Sequence, residues 1–156
     1  MDQGQFIELA YQTGLDVSEI HVQLYNGNTG RTYGGALVVS ADGIPGSVGP
    51  IGGLSFVYFD IIHIRHAVSG NGIALVDGRS GAVLEFISYD GQFNATNGPA
   101  RGLESVPIGV SELIDGDVGL SLQLGGSGCV RSDFSWQAVQ AETKGTLNRG
   151  QTSTCV

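Results

Sequence analysis

The stretch Glu19-Ile20-His21-Val22-Gln23-Leu24-Tyr25-Asn26-Gly27-Asn28-Thr29-Gly30-Arg31 decides the fold class. Ile20, Val22 and Leu24 alternate with Glu19, His21 and Gln23, the period of two that gives a strand one buried and one wet face. The run ends in Asn, Gly and Thr, residues that tolerate positive φ and reverse the chain between two strands. Outward from here the same alternation recurs between turn signals, at Gln5 to Tyr11, Thr32 to Val39, Ser55 to Arg65, Gly72 to Val76, Val83 to Tyr89, Gly119 to Leu124 and Asp133 to Ala138. Ser55 to Arg65 is apolar on both faces and is expected at the centre of a sheet. Asp77-Gly78-Arg79-Ser80-Gly81 marks a second hairpin.

Composition agrees with this pattern. Of 156 residues 26 are Gly and 4 are Pro, and only Leu54 to Ser69 and Cys129 to Lys144 run for 16 residues without either, so long helices are excluded. Gln137 to Lys144 has helix-permitting composition but is too short to change the class. The expectation is one all-β domain over residues 1–156, an antiparallel β-sandwich rather than a small barrel, with a C-terminal tail from about 145 to 156. Its core is expected to include Phe6, Leu9, Ile20, Val22, Leu24, Phe86, Leu122 and Trp136, with Phe134 and Tyr89 as further aromatic anchors. Ala41 to Gly53 and Gly91 to Leu113 read as loops, the second long enough to be functional or packed as an Ω-type excursion.

The net charge of −8, with Lys144 as the only lysine and six scattered arginines, excludes a phosphate-neutralising surface, so no direct contact with nucleic acid is expected. The most apolar window, Gly43 to Phe59, contains Pro45, Pro50 and a series of glycines, so no membrane-spanning helix is expected. No signal peptide is visible at the N-terminus. Low lysine and two cysteines near one end nevertheless fit a mature secreted domain. Cys129 and Cys155 are expected to form a disulfide fastening the tail, worth about 3 kcal/mol by chain entropy, against the alternative of two free thiols.

Phe6-Ile7-Glu8-Leu9 and Gly14-Leu15-Asp16-Val17-Ser18, leading into Ile20-His21-Val22-Gln23-Leu24-Tyr25-Asn26-Gly27, resemble the opening of bacterial lamin-tail-like domains. Gly72 to Asp77, Val83 to Gly91, Gly119 to Leu124 and Phe134-Ser135-Trp136-Gln137 look like that family's later strands, so the likeness runs in order from Phe6 to about Asn148. Two departures stand out: Glu19-Ile20 replaces a Gly and an aromatic, and Lys144-Gly145-Thr146-Leu147-Asn148 replaces a closing Pro-Gly-x-x-Asn. The resemblance implies an immunoglobulin-like β-sandwich, often secreted and joined to hydrolase domains, and it implies no catalytic residues.

Chemistry-bearing residues are few. Glu112, Asp115 and Asp117 put three carboxylates on one loop, a set that calcium takes, although Asp115-Gly116-Asp117 also reads as a solvated turn. His63 and His66, three apart on a strand, point to opposite faces and do not converge on a metal. Asp77 and Asp90, each followed by Gly, read as turn residues. Gly125-Gly126-Ser127-Gly128 lacks the spacing of a nucleophile elbow, and no triad assembles. No cofactor other than calcium is expected. The expected function is therefore a non-catalytic secreted binding or structural module with a protein or polymer partner. The alternative is a small stand-alone hydrolase or metal-dependent enzyme using loop carboxylates and histidine.

Overall fold

A computed structural model describes residues 4–46, 49–61, 64, 70–111 and 118–156. Among these the chain forms β1 (Phe6–Gln12), β2 (Ile20–Asn26), β3 (Arg31–Val38), a single helical turn α1 (Val39–Asp42), β4 (Ile44–Pro45), β5 (Leu54–Asp60), β6 (Asn71–Asp77), β7 (Val83–Tyr89), β8 (Val106–Pro107), β9 (Leu120–Gly128), β10 (Phe134–Ala141) and β11 (Gln151–Ser153). The all-β class is what the sequence predicts, and the sheets are mostly antiparallel, as in a β-sandwich. A strand lies in each stretch expected from alternation, although the one expected over Ser55 to Arg65 ends at Asp60, and residues 62, 63 and 65 lie outside the described residues. The short strands β4, β8 and β11 carry no alternation and went unread. Residues 137–141, compatible with a helix by composition, belong to β10, because pairing of Gln140 with Ser121 and Ala141 with Leu120 holds them extended past a bulge.

The chain divides into two compact units, each assembled from separated segments. One comprises residues 16–42 and 65–109 and holds a five-stranded sheet in the order β3-β2-β6-β7-β8. Strand β2 sits inside this sheet, and Val22, Gln23, Leu24 and Tyr25 are all buried. This corrects the expectation of one wet face. Residues 91–105 fold back over the Tyr25 side, where Tyr25, Ala74, Val76 and Phe86 pack with Ala95 and Ala100. The ring centroid of Tyr25 lies 5.1 Å from that of Phe86, and Phe93 meets Phe86 edge-on at 5.6 Å. The excursion is therefore a packed Ω-type segment rather than a free loop.

Several of its groups bond to the sheet below. The Tyr25 hydroxyl donates to the Asn97 carbonyl at 3.0 Å and accepts the Ala100 N–H at 3.0 Å. Asn97 Oδ1 accepts the Thr32 N–H at 2.8 Å, and the Gly30 carbonyl accepts the Thr96 N–H at 2.7 Å. Gly98, at φ +67°, passes so close that a Cβ there would stand 2.6 Å from the Tyr25 hydroxyl oxygen. Only glycine fits both the dihedral and the gap.

The other unit comprises residues 1–15, 43–64 and 110–156, with two three-stranded sheets ordered β1-β5-β4 and β10-β9-β11. As expected, β5 is central in its sheet, and Leu54, Phe56, Val57 and Phe59 are buried on its two faces. Phe6 and Leu9 lie on the edge strand β1 and Trp136 on the edge strand β10, so all three are half-buried instead of deep in a core. Along β9 the expected facing is reversed. Gln123, 3% exposed, is buried while Leu122 is only partly covered. Burial of that amide is sustained because it donates to Ser121 Oγ and the Ala141 carbonyl and accepts the Arg149 N–H.

The tail is held covalently. Cys129 and Cys155 form a disulfide with Cα atoms 4.9 Å apart, beside β11, which runs parallel to β9. Leu54, Phe56 and Cys155 form a second buried cluster.

Replacing Tyr25 by Phe removes one donor and one acceptor that bind the excursion, leaving the Ala100 N–H without its partner. Urea unfolding is expected to show a loss of about 1–3 kcal/mol with an unchanged m-value. A variant as stable as the parent contradicts the role given to this hydroxyl.

Candidate functional site

Of the residues singled out in the sequence, Glu112, Asp115, Asp117, His63 and His66 lie outside the described residues, so the calcium and histidine readings find no geometry here. Among the described residues no three His, Cys, Asp or Glu side chains stand close enough to share a metal ion. Gly125 to Gly128 lie within β9, with Ser127 paired to Thr152. Asp77 is a turn residue as expected: its carboxylate accepts the Arg79 N–H at 3.0 Å and the Ser80 hydroxyl at 2.7 Å. Asp90 adopts φ +63° in the turn after β7, also as expected.

Several of the described carboxylates serve the backbone and its turns. Asp16 accepts the Ser18 N–H and hydroxyl and pairs with the Arg79 guanidinium, which together hold its carboxyl far below the usual range. Glu19, Ile20, Asp77 and Leu84 complete a shallow hollow around this pair. Asp133 Oδ2 accepts the Cys129 N–H at 2.8 Å and the Val130 N–H at 3.0 Å, depressing its pKa and fixing the corner next to the disulfide.

One group of side chains differs from these. Phe6 and Glu8 are successive residues on one face of β1, and β5 places Asp60 opposite Phe6 and Tyr58 opposite Glu8. Across this square of four lies Lys144. Its ammonium is 5.1 Å from the centroid of the Phe6 ring and 4.5 Å from that of Tyr58, and it pairs with Asp60 Oδ1. The next residue, Gly145, donates its N–H to Glu8 Oε2. Gly145 has φ +84°, and its carbonyl passes so near Gly46 that a Cβ on Gly46 would stand 2.6 Å from it. Such a tight turn brings the lysine stem down onto the sheet.

Burial pushes the Glu8 carboxyl from an ordinary 4.5 up to about 7; the Gly145 N–H opposes this, the nearby Glu142 charge adds to it, and Lys144 opposes it. Glu8 thus exchanges a proton near neutrality, beside an ammonium and a second carboxylate, on an aromatic floor. Sequence reading missed this group because it draws on three separate stretches of the chain, around residues 6–8, 58–60 and 144–145. The available signal was Lys144 itself, the sole lysine of an acidic chain.

Because the folded pKa of Glu8 is raised above its unfolded value, its contribution to stability is present below about 4.5 and is lost as pH rises through about 7. The depressed Asp16, Asp77 and Asp133 act oppositely, their stabilisation being lost only as pH falls through their lowered range. Between roughly pH 5 and pH 8 the urea midpoint is therefore expected to fall, and the Glu8 carboxyl carbon to titrate near 7 by NMR. A Glu8 midpoint near the ordinary carboxylate value contradicts the burial described. No family model, curated protein or solved structure matches this chain.

Proposed function

We propose that the chain is a non-catalytic, secreted accessory module with an immunoglobulin-like β-sandwich of the lamin-tail-like kind, which binds a protein or polymer partner without transforming it. The observation that carries this reading is how the described carboxylates are used. Asp16, Asp77 and Asp133 accept hydrogen bonds from turns. A carboxylate used in this way serves positioning rather than turnover.

Further features support it. The Cys129–Cys155 disulfide suits an oxidising compartment. No helix among the described residues is long and apolar enough to cross a membrane. The excursion after β7 also presents Leu103, 45% exposed, and Val106 at the start of β8 is 64% exposed. Exposed apolar side chains on a rigid loop are a common form of binding surface.

The purified chain is expected to leave nucleic acid, phosphoester, peptide and glycan substrates unchanged, with and without divalent metal including calcium. Turnover of any of these, abolished by one carboxylate or histidine substitution, overturns the reading in favour of a small hydrolase.

A further inference from the structure

We propose that Lys144 and Asp60 become joined by an intramolecular amide bond between Nζ and Cγ, with Glu8 carrying the proton. This proposal rests on the geometry of the square on β1 and β5 and stands apart from the reading as a binding module.

Four observations converge on it. The chain has one lysine, and among the described residues its ammonium is in direct contact with one side-chain carboxylate, that of Asp60. Both reacting groups are held: Asp60 by its register opposite Phe6, and the lysine by the Gly145 N–H bond to Glu8 and by two aromatic rings. The lysine side chain is 27% exposed, and the rings beneath it replace part of its water. Glu8 lies on the same face, near enough for the lysine charge to act on it. In free solution an ammonium and a carboxylate do not condense. Holding the two groups in contact supplies the effective concentration that makes the step feasible, up to about 10⁵–10⁸ M in well-oriented intramolecular reactions. An exposed ion pair alone contributes little to stability and has no need of an aromatic floor or a neighbouring carboxyl that titrates near neutrality.

The step balances without an oxidant or cofactor. The ammonium proton passes to the paired Asp60 carboxylate, freeing the Nζ lone pair. Nζ adds to Cγ. Glu8, as carboxylate, takes the surplus proton from Nζ and returns it to the departing hydroxyl. The Cγ–O bond breaks, one water leaves, and a neutral amide remains while Glu8 is restored. The product links the end of β5 to the segment that precedes β11, adding a second covalent tie to the disulfide.

The test is the intact mass of the folded full chain after denaturation, reduction and alkylation. The expected value is one water below the mass of the reduced, doubly alkylated chain, and protease digestion is expected to yield one branched peptide joining the segments around Asp60 and Lys144. Lys144→Arg and Asp60→Ala, each checked for native circular dichroism, are expected to regain the full mass. Glu8→Gln is expected to accumulate the unlinked form. A wild-type chain at full mass, its Lys144 amine still labelled by an amine reagent when denatured, overturns the proposal. So does water loss that persists in Lys144→Arg, which marks a succinimide at an aspartate instead. Conversion of Glu8→Gln at the wild-type rate overturns the role of Glu8.

Discussion

A chain with 26 glycines in 156 residues loses unusually much conformational freedom on folding, and that constraint shapes the whole structure. Sheet hydrogen bonds alone do not hold its long connections. Long-range side-chain ties do: Tyr25 to Asn97 and Ala100, Asn97 to Thr32, Glu8 to Gly145, Gln123 to Arg149, and the Cys129–Cys155 bridge. Most span more than twenty residues, so each closes a large loop. Buried polar side chains, which a hydrophobic core normally keeps few, are here the means of anchoring turns.

Strand β2 shows how this constraint was only partly legible in sequence. Its extended state and its hairpin to β3 followed from alternation and from the Asn-Gly-Asn-Thr-Gly turn. That both its faces are buried did not, because Gln23 and His21 mark a wet face in any local reading. The cover comes from residues 91–105, whose small polar composition hides the fact that Ala95 and Ala100 are buried and pack against an aromatic cluster. A strand's facing depends on what folds over it, and that information lies about seventy residues away. Gln123 repeats the lesson on β9, where an amide occupies the buried position because three hydrogen-bond partners meet it there.

The square of Phe6, Glu8, Tyr58 and Asp60 was illegible for a different reason. Each pair becomes adjacent only through the register of β1 on β5, and Lys144 reaches it only through the turn at Gly145. The disulfide, by contrast, was readable from cysteine number and position alone. Local chemistry such as the Asp77 turn was readable as well, since its partners are within three residues.

Long-range side-chain ties make the connection after β7 part of the folded core. Native-state hydrogen exchange tests it most directly. The amides of Ala95, Thr96, Ala100 and Ser105, which donate to Leu103, Gly30, Tyr25 and Phe93, are predicted to be protected to the same level as those of Val22 to Tyr25 in β2. Exchange of these four amides at the rate of an open loop, with β2 still protected, contradicts the account.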